Sequence, residues 1–339
     1  MTTDLKFFLD ILSIDSTSGE EAELVLFLER TLAHSGCIIT QLPAGSQPCQ
    51  STNLLLSWGD PQIVYCTHLD TVPPYIAPTV TEKPDGTVVV NGRGACDAKG
   101  QIFAMLSACL RLASEGKQGF GLLLVHGEES ASLGAKEVGD SLKGKCVIVG
   151  EPTNNKMVEA CKGTKLFEVT LRGIKCHSGY PHLGMSAVDE FVDFVNDLRE
   201  LPYPEDEVLG STTFNIGRLK SDNPQNVLSD LLTFRIYFRT TFASDEYVCR
   251  TMEGFNCETI EVKALGGDSP AHYYTLPGFE TSTAAFGSDA PYLTGFEHTI
   301  LCGPGSISLA HTAMECITMP EIEQAIDLYV AIFDTLNKQ

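Results

Sequence analysis

The apolar positions Leu5, Phe8, Leu9 and Leu12, followed by Ala22, Leu24, Val25, Leu28 and Leu32, recur at the spacing of a single helix face. They predict two consecutive amphipathic helices, with Gly36 as a stop signal. The period then shortens. Residues 53–58 and 63–67 read as strands, 73–78 as a Pro-rich loop, 87–90 as a strand and 99–113 as a helix. The runs 121–125 and 146–149 are short and continuously apolar, as in strands covered on both faces. A mixed or parallel sheet between helices, an α/β architecture, is therefore expected.

After about residue 163 the order changes. Residues 165–172 alternate like a strand, 187–198 carry a helical stripe, 212–219 and 231–240 read as strands, 244–252 as a helix and 259–265 as a strand. That β-α-β-β-α-β order predicts a ferredoxin-like α+β domain over residues 164–270. From Pro270 the chain returns to the first domain, adding 282–286, a strand at 299–301 and a last helix at 320–336. The predicted plan is one domain of residues 1–163 and 271–339 with a smaller domain inserted. A length of 339 residues suits two cores better than one.

Composition narrows the partners more than the fold. With 43% hydrophobic and 20% charged residues, an ordinary globular protein is expected. The net charge of −21 comes without a basic stripe, which argues against a nucleic-acid partner. The start MTTDLKFFLDILSIDS lacks the basic and apolar blocks of a signal peptide. No apolar run approaches the roughly 20 residues that span a bilayer. A soluble, cytoplasmic protein with no membrane partner is the expectation. Twelve cysteines occur without a CxxC pair, and Cys66, Cys96, Cys109, Cys146 and Cys161 sit in apolar or tight-turn contexts, so free thiols are expected.

Candidate chemistry lies where the predicted strands end. The segment 65–74 closes a buried strand in His-Leu-Asp, so His68 can bind a metal while Asp70 holds its second ring nitrogen. Asp97 stands in a Gly-rich turn before a helix, where one carboxylate can give an oxygen to each of two metals. The run 121–125 leads into His126-Gly-Glu-Glu-Ser130. Adjacent carboxylates repel unless a cation lies between them, which suggests Glu129 as a ligand and Glu128 as general base. Glu151 again ends a buried strand, and His311 lies in a loop before the last helix. Each motif has an ordinary alternative: a surface His before an Asx turn, an Asp that caps a helix, an exposed acidic turn. Their common position at strand ends favours a dinuclear hydrolase.

The series HLDTVP, GRGACDAKG, GEE, GEP, RGIKCHSGYPHLG, the Asn226–Asp230 turn followed by FR, GSDA and AHTAME resembles the acetylornithine deacetylase and succinyl-diaminopimelate desuccinylase family of dinuclear zinc amidohydrolases. That family also includes aminoacylases and glutamate carboxypeptidases. The resemblance spans nearly the whole chain. It implies two Zn2+ per subunit, replaceable by Co2+, with His68 and Glu151 on one ion, Glu129 and His311 on the other, and Asp97 between them. It also implies a cis peptide after Asp97 and a homodimer formed through the inserted domain, which would act as a lid. His177 looks like the histidine that crosses the dimer to stabilise an oxyanion. Asn226 and Arg239 resemble substrate-binding residues, with Arg239 on the α-carboxylate. Gly287, Ser288 and Asp289 match a small-residue loop lining the acyl pocket. Ser229-Asp230 and Met314-Glu315 depart from the usual family residues at those places.

The implied reaction is hydrolysis of an N-acetyl amino acid to acetate and the free amino acid, with N-acetylornithine or N-acetylcitrulline as the leading substrates and arginine or lysine biosynthesis as the setting. Succinyl-diaminopimelate desuccinylase, or a dipeptidase or carboxypeptidase of the same family, is the alternative. A non-catalytic zinc-binding scaffold is the alternative of another class.

Overall fold

The computed structural model describes residues 4–42 and 52–338. It divides into two compact units, one of residues 1–159, 273–282 and 288–339, the other of 160–272 and 283–287.

The first unit is built on a six-stranded mixed sheet. Its strands run in the order Ile38–Leu42, Asn53–Trp58, Phe120–Val125, Ile63–His68, Gly144–Val149 and Phe296–Leu301. The first two form an antiparallel edge, and the remaining four are mutually parallel. Parallel strands need both faces covered, and Ile63–His68 and Phe120–Val125 are buried at every position. Ile63, Tyr65, Leu122, Leu124 and Ile148 join a core with the helices Leu5–Leu12, Ala22–Leu32, Lys99–Ser114 and Met319–Leu336. Asp4 caps the first helix by accepting the Lys6 and Phe7 amides. A capping box of Thr318 and Glu321 starts the last.

The chain leaves Ile63–His68 for the strand on one side of it, then returns past it to Gly144–Val149 on the other. The loops on either side of His68 therefore diverge at the carboxyl end of the sheet, which is where open α/β sheets collect ligands.

The second unit has four antiparallel strands, Thr213–Lys220, Leu231–Thr240, Gly163–Arg172 and Ile260–Gly266 in that spatial order. The helices are Ala187–Glu200 and Asp245–Gly254. Phe167, Val169, Leu171, Phe234, Ile236 and Phe238 on the strands meet Phe194, Leu198, Val248 and Met252 on the helices. Inward positions alternate along Leu231–Thr240, as expected of a sheet covered on one face only.

Several local readings need correction. The second helix ends at Leu32, so Gly36 lies beyond its stop. Residues 283–287, expected in the first domain, belong to the second unit. There the Lys162 amide donates to the Ala284 carbonyl at 2.9 Å, and Cys161 Sγ lies 2.8 Å from the Phe286 carbonyl. Among the described residues no helix is long and apolar enough to cross a membrane.

Candidate metal centre

Four of the parallel strands deliver the candidate donors. His68 ends one strand, Glu128 and Glu129 follow the second, Glu151 follows the third, and the fourth leads into the loop carrying His311. Asp97 comes from the turn before Lys99–Ser114. Ala98 stands at the N-cap of that helix and makes no side-chain capping bond, so the Asp97 carboxylate is not spent as a cap. The Asp97–Ala98 peptide is cis. Gly100 is required for the tightness of this turn, because a Cβ there would lie 2.2 Å from the Ala95 carbonyl oxygen.

Among the described residues the side chains converge in three groups, one of His68, Glu128 and Glu129 and two that share Asp97. His68, Asp97 and Glu151 place donor atoms within 4.8 Å of one another, and so do Asp97, Glu129 and His311. Asp97 Oδ1 lies 3.1 Å from His68 Nε2, while Asp97 Oδ2 lies 3.2 Å from His311 Nε2. Each oxygen of this one carboxylate thus faces a different imidazole. Glu129 Oε1 lies 2.8 Å from His311 Nε2. His311 adopts φ +63°, a left-handed conformation uncommon outside glycine and typical of functional loops.

Asp70 serves His68 differently from the expectation. The His68 Nδ1 partner at 2.9 Å is the Asp70 backbone carbonyl, with carboxylate Oδ1 farther away at 3.4 Å. A carbonyl acceptor fixes the proton on Nδ1 and leaves Nε2 as a donor to a cation. The Asp70 carboxylate instead accepts the amides of Glu128 and Glu129 at 2.9 and 3.1 Å.

The electrostatics suit cations. Burial, reinforced by Asp97 and Glu128, pushes Glu151 well above the usual carboxylate range. Burial does the same to Glu128, opposed by His68 and aided by Asp289, Glu129 and Asp97. Asp97 is held below its ordinary value because His311 and His68 outweigh its burial. His311 is raised to about 10 by Asp97 and Glu129. Burial raises Asp289 to about 6, against the pull of His68 and Ser132. Buried carboxylates crowded around two imidazole Nε2 atoms form a donor set that divalent cations fit.

A second set of contacts was not anticipated from residue types. Arg93 Nη1 donates to Glu315 Oε2 at 2.5 Å and to the Thr312 carbonyl at 3.3 Å. Glu315 Oε1 accepts the amides of Cys96 and Asp97 at 3.2 and 3.1 Å. This buried pair ties the Asp97 turn to the His311 loop. Both residues stand inside the quoted motifs, yet only their burial reveals the pairing.

The matched part of the chain for Peptidase family M20/M25/M40 runs over residues 64–335, which includes every donor named above. The chain belongs to the M20/M25/M40 peptidase family. A probable carboxypeptidase of Aspergillus fumigatus is 31% identical over 372 aligned residues, covering 96% of this chain and 84% of that protein. A tripeptidase from Staphylococcus aureus has the same fold, with a TM-score of 0.83 at 19% identity over 99% of this chain and 98% of that one. A dinuclear metal-binding M20 peptidase from Bacillus subtilis superposes with a TM-score of 0.69 at 14% identity, covering 98% and 97%. This M20 chain is thus a hydrolase of amide or peptide bonds.

The remaining expected site residues lie at or beyond the edge of the first unit. Ser288 is buried in it, with its Oγ accepting the Ala290 amide at 3.4 Å, and Gly287 is the last residue of the second unit before it. In the second unit, His177 is exposed and its Nδ1 accepts the Gly179 amide at 3.1 Å. Asn226 is adjacent, its carbonyl accepting the Ser178 amide at 3.0 Å. Arg239 stacks over the Tyr237 ring at 4.8 Å, and its Nη1 is buried without a hydrogen-bond partner.

Proposed function

We propose that this M20 hydrolase is a zinc-dependent exopeptidase acting on short peptides with a free C-terminal carboxylate, as a carboxypeptidase or dipeptidase. The observation that carries the reading is the division of Asp97, one oxygen toward each imidazole, with Glu128 left as a carboxylate spare to both three-residue groups that contain Asp97. His68 and Glu151 would hold one Zn2+, Glu129 and His311 the second, and Asp97 both. When bound, such ions polarise a scissile carbonyl and lower the pKa of a water. Glu128 takes the proton of the attacking water and returns it to the leaving amine. Its raised affinity for protons suits a group that must accept one and release it. Asp70 keeps the His68 ring turned with Nε2 toward Asp97. Arg239 supplies an unspent buried donor suited to a substrate carboxylate, and Asn226 is a separate candidate amide beside His177.

The names borne by relatives shift the weight from N-acetyl amino acids to peptides. Deacylation of N-acetylornithine or N-acetylcitrulline remains the second reading, favoured by the motif series, because an N-acyl amino acid offers the same α-carboxylate to Arg239. A zinc-binding scaffold could use Glu128 only as a further ligand beside His68 and Glu129. For assembly we propose a homodimer through the second unit, in which His177 serves the partner's site. Tyr180, Leu183, Val188 and Val192, which are 58%, 65%, 38% and 50% exposed, offer apolar surface near that histidine in sequence.

The test is a panel of dipeptides, tripeptides and N-acetyl amino acids assayed with added zinc and with chelator. Peptides turned over at least about tenfold faster than any N-acetyl amino acid uphold the proposal. The reverse ranking replaces it with the deacylase.

A further inference from the structure

We infer that Ser18 and Glu21, in the segment joining the first two helices, are positioning residues for Glu128. The inference rests on Glu128 being the general base. The strand Phe120–Val125 ends just before the tetrapeptide 126–129, so its amides have left the sheet ladder and need other acceptors. All four find a side chain. The His126 amide donates to Asn53 Oδ1 at 3.1 Å, Gly127 to Glu21 Oε1 at 3.2 Å, Glu128 to Asp70 Oδ1 at 2.9 Å and Glu129 to Asp70 Oδ2 at 3.1 Å. Ser18 Oγ donates to Asp70 Oδ2 at 2.7 Å. Glu21 is fully buried, and its Oε2 accepts the Gly19 amide at 3.0 Å.

The segment is itself docked on the strand end. Ser16 Oγ donates to the Leu69 carbonyl at 2.7 Å, the Thr71 amide to the Ser16 carbonyl at 3.0 Å and the Ser18 amide to the Thr71 carbonyl at 3.2 Å. Lys99 Nζ donates to the Ile14 carbonyl. Ser16, Ser18 and Glu21 lie outside the family match, which starts at residue 64.

Registration of this loop has a chemical consequence. Glu128 and Glu129 are the same residue type, adjacent in the chain. Glu128 opens a turn, its carbonyl accepting the Ala131 and Ser132 amides at 3.1 and 3.0 Å, and the backbone position of that turn decides which carboxylate meets His311 and which stays spare. Charge-assisted bonds from the 127, 128 and 129 amides to two buried carboxylates hold that position. Ser18 braces one of the two, and Glu21 is the other.

The experiment compares S18A, S18T and E21Q, each alone and combined with E128Q, measuring kcat, KM, bound zinc and thermal midpoint on the full chain. S18A and E21Q are expected to lower kcat about tenfold with KM changed less than about twofold. Bound zinc and thermal midpoint in S18A should stay at the unsubstituted values, and S18T should recover kcat. In the E128Q background S18A should change the residual rate less than about twofold, because the residue through which it acts is gone. Equal losses in both backgrounds, or a kcat within about twofold of the unsubstituted protein for both S18A and E21Q, would overturn the inference. E128Q alone reports on the base: near-normal turnover in that variant removes the base reading, independently of what Ser18 does.

Discussion

Arg93→Met tests the buried clamp between the Asp97 turn and the His311 loop. The Arg93 and Glu315 side chains are 3% and 0% exposed, so the substitution leaves a carboxylate in the interior with only two backbone amides for company. Breaking a buried pair from one side typically costs about 3–5 kcal/mol. The first unit has roughly 220 residues, and an unfolding entropy of about 2.1 cal/mol/K per residue gives ~0.46 kcal/mol/K for it. The expected fall in its thermal midpoint is therefore about 7–11 °C. Arg93→Lys keeps the charge but not the guanidinium fork that reaches Glu315, Thr312 and Pro74, and should recover only part of the loss. The assay is scanning calorimetry on chelator-treated protein, paired with zinc titration of the same samples. Because Glu315 accepts the Asp97 amide, zinc affinity should fall together with the midpoint. A midpoint shift below about 2 °C with unchanged zinc affinity would refute the clamp.

Four further outcomes follow. Glu128→Gln should bind zinc as the unsubstituted protein does yet lose at least about a hundredfold in kcat, read by steady-state kinetics beside elemental analysis. His311→Ala should lower bound zinc to about one per chain, and an unchanged stoichiometry would remove His311 as a ligand. Metal-free protein should lose thermal stability as pH rises from neutrality through about 10, because His311 binds its proton more tightly when folded. That contribution is complete below the unfolded value near 6.5 and vanishes above the folded one; a flat profile in chelator would contradict the pairing with Asp97 and Glu129. Gly100→Ala should weaken zinc binding, since its Cβ would meet the Ala95 carbonyl and push the Asp97 turn away; wild-type affinity would show that the turn can yield.

Strands marked by a continuous or alternating apolar pattern were the most legible. The stretches 53–58 and 231–240 matched the observed strands at both ends. Elements that carry little burial were not. The edge strand Ile38–Leu42 has no buried position, Thr79–Glu82 is exposed throughout, and Leu133–Val138 is too short to display a helical period. The same distinction governs the centre. The imidazoles and carboxylates at strand ends could be picked out because their chemistry demands those residue types. Ser18, Glu21, Asn53 and Arg93 act on backbone amides, carbonyls or another side chain, and many residue types could occupy such positions, so no pattern marks them in advance. The polar stretch around Ser18 reads simply as a turn between two helices.

The point at which the second unit interrupts the first has a consequence for biogenesis. His68, Asp97, Glu129 and Glu151 are all synthesised before residue 160, whereas Phe296–Leu301 and His311 follow the insertion. A nascent chain therefore carries four of the five proposed donors through the synthesis of more than a hundred residues, with Gly144–Val149 still an open sheet edge awaiting its parallel neighbour. Late pairing of this kind is slow and exposes a hydrophobic edge. Metal loading becomes a step near the end of translation, and a chain cut short before residue 296 should be captured by chaperones rather than accumulate as a half-loaded protein.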